Sequence, residues 1–224
     1  MKLAIFDLDG TLIDSRAMIT ASLDAAFAAA GVTPPERKHF MSYVGLSLRD
    51  VMRSLAPHEE AHQHDRLVEA YKQAFQDFRA TNRHPEDLFA GAHDLLVNLR
   101  ARDDVLLGIA TGKSRRGVTH LIEKHGYDGW FTTIQTADDH PSKPHPSMIV
   151  AALAETGLEP QAAVMIGDTS FDIEMARAAG AGAAGVSWGN HQVAELQRAG
   201  AHTIANDFNE LEQHIESLWQ ERMR

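Results

Sequence analysis

Seven residues of this chain stand where apolar runs break off. Asp7 and Asp9 follow the first run, Thr111 and Gly112 the second, Lys143 lies in the loop after the third, and Asp168 and Asp172 follow the fourth. Carboxylates at positions i and i+2 of an extended segment point to one side, so Asp7 and Asp9 are expected to face one site. Several carboxylates packed together repel one another unless a cation lies among them. Their hard oxygens suit Mg²⁺, which is usually held by one or two carboxylates and by phosphate oxygens of a substrate, with no need of Cys or His. The expected substrate therefore carries phosphate. Taken singly, Asp-x-Asp before Gly-Thr is an ordinary strand-ending turn, and Asp172 an ordinary helix-start aspartate. The recurrence of suitable groups at several strand ends selects the chemical reading.

The elements that must position these groups are read from periodicity. Residues 3 to 8 form a short apolar run ending at a Gly-Thr turn, the pattern of a buried strand. From Ser15 to about Pro85 apolar residues recur at helical spacing, as in Leu67, Val68, Tyr71, Phe75 and Phe78. After Pro85 short apolar runs alternate with helical segments: Val105 to Ala110, Phe131 to Gln135, Ala162 to Ile166 and Ala183 to Val186. One strand before the helical block and four after it predict an α/β fold. Its core is a doubly wound, Rossmann-like parallel sheet from residues 1–14 and 86–224, and an all-helical cap domain at 15–85 is inserted after the first strand. Such sheets bind ligands beyond the carboxyl ends of their strands.

In order along the chain, Asp7-x-Asp9-Gly-Thr-Leu, Thr111, Lys143-Pro144 and Gly167-Asp168-x-x-x-Asp172 resemble the four motifs of the haloacid dehalogenase superfamily. The helical block falls where its phosphoglycolate phosphatase-like subgroup carries a helical cap. The resemblance implies that Asp7 attacks phosphorus to form an aspartyl phosphate, while Asp9 protonates the leaving oxygen and then activates water. It also implies Mg²⁺ held by the side chains of Asp7 and Asp168 and the Asp9 backbone carbonyl, with Asp172 behind them or bound through water. Thr111, Gly112 and Lys143 are then expected to bind the phosphoryl group. Gly45-Leu46-Ser47-Leu48-Arg49 resembles the cap loop that dips toward the leaving group, and Arg49 is a candidate for a carboxylate or second phosphate, or else a surface arginine. Lys113 and Arg115 are expected near the phosphate border, Arg115 facing solvent. His39, His62 and His64 are expected to be solvated.

Composition narrows the field. Zero cysteines exclude thiol chemistry and thiolate metal sites, and a net charge of -10 disfavours nucleic acid as a partner. No apolar stretch approaches the ~20 residues that span a bilayer. A cytoplasmic monomer or homodimer acting on a small phosphorylated metabolite is expected. Two motif matches are set aside. His58-Glu59-Glu60-Ala61-His62 fits H-E-x-x-H, but it lies in a polar segment after Pro57 with no assigned third ligand. Gly180-Ala181-Gly182-Ala183-Ala184-Gly185 fits the dinucleotide fingerprint by letters, yet a helix precedes it and a strand follows, the reverse of the required order; Gly180 is a helix C-cap. A phosphomutase or an inorganic pyrophosphatase of the same superfamily stays open; Ser15 and Arg16 stand where a mutase is expected to carry His. A phosphotransfer receiver domain would lack the cap, and a dehalogenase does not need Asp9.

Overall fold

The computed structural model describes residues 1–223. Six parallel strands form one sheet: β1 (Lys2–Phe6), β4 (Val105–Thr111), β5 (Thr133–Thr136), β6 (Ala163–Gly167), β7 (Gly182–Val186) and β8 (Thr203–Ala205), in the order β5-β4-β1-β6-β7-β8. β2 (Ile13–Asp14) and β3 (Asp87–Leu88) make a separate antiparallel ribbon. The five strands read from sequence lie within two residues of their expected positions, and β1 stops at Phe6 rather than at residue 8. There the Leu8 carbonyl accepts the N–H groups of Thr11, Leu12 and Ile13, folding the chain into a turn. β8 was not read, because three residues at a sheet edge carry too little periodicity to register. The same brevity hid β2 and β3, two residues each.

β1 is buried on both faces, as a central parallel strand must be. Its side chains alternate: Ala4 and Phe6 join the cluster under α4 (Ala92–Arg100), α5 (Arg115–His125) and α9 (Phe208–Arg222). Leu3 and Ile5 join the cluster under α6 (Ser147–Thr156), α7 (Ser170–Ala178) and α8 (Val193–Ala199). The strand order reverses at β1, which lies between β4 and β6, so the crevice expected of a doubly wound sheet opens at the carboxyl ends of these three strands.

Between the two strands of the ribbon the chain forms α1 (Arg16–Ala30), α2 (Leu48–Leu55) and α3 (Ala61–Ala80), with two short 3₁₀ turns. This block buries an apolar cluster of its own, including Leu23, Phe27, Phe40, Met52 and Leu67. His64 belongs to that interior: contrary to the expectation of a solvated residue, it is buried with Nε2 2.9 Å from the carbonyl of Ala56. His39 and His62 are exposed. His58 sits in the turn before α3, so His58 and His62 do not share a helix face as H-E-x-x-H requires. Gly180, at φ +72°, closes α7 just after Ala179, and β7 follows. Among the described residues no helix is long and apolar enough to cross a membrane.

Candidate active site

Five chain segments converge on the carboxyl ends of β1, β4 and β6. Asp7, Asp9, Thr111, Gly112 and Lys113 line a cavity of about 760 Å³ roofed by residues of α1, α2 and α3. Asp7 is the first residue past β1 and is tied to β6 by its N–H, which donates to the carbonyl of Ile166 at 2.9 Å. Leu8 turns into the core, leaving Asp7 and Asp9 on the cavity side as the i, i+2 spacing predicts. Thr111 is buried, its hydroxyl accepting the Lys113 N–H at 3.2 Å.

Lys143 is fully buried between two carboxylates, with Nζ 2.9 Å from Asp7 Oδ1 and 2.6 Å from Asp172 Oδ1. Burial alone disfavours its ammonium, but Asp172 and Asp7 outweigh that and raise its pKa above the ordinary lysine value. Asp172 has a second task. It closes a capping box at the start of α7, its Oδ2 accepting the Thr169 N–H at 3.1 Å and the Thr169 hydroxyl at 2.7 Å. One Asp172 oxygen thus serves the helix start and the other meets Lys143. Asp168 is anchored on both oxygens: the Thr11 hydroxyl donates to Oδ1 at 3.1 Å, and the backbone and side-chain N–H groups of Asn190 donate to Oδ2 at 2.7 and 2.9 Å. Gly10, at φ +90°, lets the loop run against this carboxylate, since a Cβ there would collide with Asp168 Oδ2 and Asn190 Nδ2.

Carboxylate oxygens of Asp7, Asp168 and Asp172 all lie within 4.8 Å of one another. Burial, followed by repulsion from its neighbours, pushes Asp168 up to about 8; burial, opposed by Lys143 and reinforced by Asp172 and Asp9, pushes Asp7 up to about 6. Asp7 Oδ2 is buried with no hydrogen-bond partner among the described residues. An all-oxygen set that repels itself and leaves one oxygen unsatisfied fits a hard divalent cation. The side chain of Asp9 is directed elsewhere, to Lys113 Nζ at 3.0 Å.

The helical block touches this site through loops. A Cβ on Gly112 would lie 2.5 Å from the carbonyl of Leu46, so only glycine lets the 45–47 loop lie this close. The Ser47 N–H donates to the Ser142 hydroxyl at 2.8 Å, and His191 Nε2 lies 3.1 Å from the carbonyl of Ser42. Arg49 lines the cavity but pairs with Asp65 at 2.6 Å, both side chains more than half exposed. Arg115 faces solvent, paired with Asp139, as expected. Lys113 lines the cavity, with its ammonium set against Asp9 and Glu86. Glu86, Ser142, Asn190 and His191 were not read as site residues. Asn190 lies in the loop after β7, so extending the strand-end rule to the fifth strand would have found it.

The description haloacid dehalogenase-like hydrolase fits residues 4–186. A protein named probable phosphatase IndB from Dickeya dadantii is 31% identical over 212 residues, covering 93% of this chain and 91% of its own. Phosphoglycolate phosphatase 1 of Pseudomonas aeruginosa is 32% identical over 197 residues, 85% of this chain and 71% of its own. The crystal structure of a hydrolase from Pseudomonas syringae superposes with a TM-score of 0.85 at 28% identity, covering 97% and 99% of the two chains. Family, fold and strand-end carboxylates agree, and the chain is an enzyme of the haloacid dehalogenase-like hydrolase family.

Proposed function

We propose that the chain is a Mg²⁺-dependent phosphatase that hydrolyses small phosphomonoesters, phosphoglycolate-like or sugar phosphates, through an aspartyl phosphate on Asp7. The observation that carries this reading is the buried, unpartnered Asp7 Oδ2, held beside the Lys143 ammonium in the lining of the cavity under the helical block. A carboxylate oxygen with no competing hydrogen bond is free to attack phosphorus, and the neighbouring cation offsets the repulsion between two anions. The bond from phosphorus to the ester oxygen breaks as Asp9 passes its proton to that oxygen; Asp9 then takes a proton from the water that hydrolyses the acyl phosphate. Thr111, Gly112 and Lys143 hold the phosphoryl oxygens. Asp7, Asp168 and the Asp9 backbone carbonyl would hold Mg²⁺, which neutralises phosphoryl charge, and Asp172 keeps Lys143 in place.

The helical block, residues 15–85, acts as the cap that excludes water and selects the leaving group, with Arg49 available to a carboxylate or second phosphate. This reading sets the enzyme in the cytoplasm, a reducing compartment that a chain without cysteine suits. Pyrophosphate is a second candidate substrate, because pyrophosphatase PpaX of Bacillus pumilus is 32% identical over 188 residues, 82% of both chains. The test is Asp7→Asn with a panel of phosphate esters and pyrophosphate, following free phosphate and isomerised sugar phosphate. Turnover and acid-stable labelling of the protein by ³²P should both vanish; hydrolysis persisting in the folded variant would refute Asp7 as nucleophile.

A further inference from the structure

Lys113 is a buried lysine that the chemistry above leaves without a task. Its Nζ lies 3.0 Å from Asp9 Oδ1 and 3.1 Å from Glu86 Oε1, and it is the one ion-pair partner of Asp9 among the described residues. Glu86 is itself buried, at the point where the chain leaves the helical block for β3. Its other oxygen receives Arg79 from the last turn of α3, Nη2 at 2.6 Å and Nε at 3.2 Å. Phe75, one turn earlier on α3, lies under both cations, 5.1 Å from Lys113 Nζ and 4.9 Å from the Arg79 guanidinium. The backbone carbonyl of Glu86 is pinned by Lys124 Nζ at 2.6 Å.

A second feature shows that the lysine stem has a place made for it. Gly117 occupies the first turn of α5, where glycine costs about 1 kcal/mol relative to alanine. A Cβ there would lie 2.7 Å from Lys113 Cγ and 3.0 Å from Cδ. The fold thus gives up helix stability at a position where any side chain would push Lys113 off its path. Burying a Lys with two carboxylates and an Arg is also a poor route to stability, since desolvation cancels much of the attraction. Such a network is expected where orientation matters more than energy.

We propose that Lys113, braced by Glu86 and Arg79, is a positioning residue that holds the Asp9 carboxyl toward the leaving group, and that α3 of the cap controls it. The chain of contacts runs Arg79 to Glu86 to Lys113 to Asp9, with the first member on the cap and the last in the core. Displacement of α3 withdraws Arg79 from Glu86 and Phe75 from Lys113 while Lys124 keeps Glu86 on the core, so the brace on Lys113 slackens and Asp9 is held less firmly until the cap returns. Proton transfer to the leaving oxygen is thereby tied to the closed form. The inference rests on the proposed phosphatase chemistry.

The test uses Glu86→Gln, which keeps side-chain shape while removing the charge that braces Lys113, together with Lys113→Met and Lys113→Arg. Two esters are compared in Mg²⁺: p-nitrophenyl phosphate, whose leaving group departs without protonation, and an alkyl phosphate, whose alkoxide needs the proton. Glu86→Gln and Lys113→Met should lower kcat on the alkyl ester by roughly tenfold to a hundredfold. In a first-turnover measurement, release of p-nitrophenol, which needs no proton, should stay within about threefold, while the later attack of water, which Asp9 also serves, slows on both esters and Lys113→Arg restores much of both losses. Equal losses of first-turnover alcohol release on both esters in folded variants, or no such loss on either, would overturn the proposal. Wild-type protein that hydrolyses neither ester would instead overturn the phosphatase reading beneath it. Should Lys113→Met fail to fold, Glu86→Gln decides alone.

Discussion

Magnesium binding should be strongly pH dependent, because the cation must displace a proton from Asp168. That carboxyl sits at about 8 instead of its ordinary 3.8, from burial and then from repulsion by Asp172 and Asp7. The folded, metal-free protein therefore holds this proton more tightly than the unfolded chain does. A raised carboxyl pKa favours folding fully below pH 3.8, and that contribution is lost as pH rises through about 8. At pH 7 the loss is on the order of 4 kcal/mol, from about three units of separation at 1.36 kcal/mol each. Metal binding offsets part of it. Below the pKa each pH unit weakens the apparent affinity tenfold, so between pH 8 and pH 6 the apparent Kd for Mg²⁺ should rise roughly a hundredfold. At a Mg²⁺ concentration set to 100 times Kd at pH 8, the stabilisation is about 2.7 kcal/mol at that pH and about 0.4 kcal/mol at pH 6. For a chain of this size that is a Tm rise of about 5–10 °C at the higher pH and about 1 °C at the lower. Asp7, raised to about 6, adds a second proton to displace only toward the acidic end. Thermal melts with and without Mg²⁺ across this range, and calorimetry in two buffers of different ionisation enthalpy to count released protons, measure the effect. A Mg²⁺ stabilisation equal at both pH values, with no proton released, would refute the reasoning.

Three further outcomes follow from the same geometry. Lys143→Met leaves Asp7 and Asp172 buried without their cation, and urea unfolding should show a loss of about 3–5 kcal/mol together with loss of phosphatase turnover. Asn190→Ala removes one of the two N–H donors on Asp168 Oδ2 while its backbone N–H remains; Mg²⁺ affinity should weaken by about 10- to 100-fold in a calorimetric titration, with the fold intact by circular dichroism. Gly112→Val puts methyl groups where the Leu46 carbonyl lies, so the 45–47 loop must retreat and kcat/KM should fall by about 100-fold, with Tm changed by only a few degrees.

What the sequence determined by itself was the set of strand-end groups and the place of the helical block. Asp7, Thr111 and Asp168 were legible because each ends or follows an apolar run, and a strand of five to seven mostly buried residues leaves a pattern that local reading detects. The block between residues 15 and 85 was legible for the same reason, α1 and α3 being long enough to show a helical period. The tertiary structure alone decided who meets whom. Glu86 and Lys113 are 27 residues apart, Asp168 and Asn190 are 22, and Arg79 reaches Glu86 from a different element. None of these partners carries a period or a motif, since a lone buried Glu or Asn reads as a surface residue until the chain is folded. Lys113 is the sharpest case. Its spacing after Thr111 placed it near the site, and the slot opposite Gly117 and the charge of Glu86 set its ammonium against Asp9, because a buried ammonium must go where its counter-charges are.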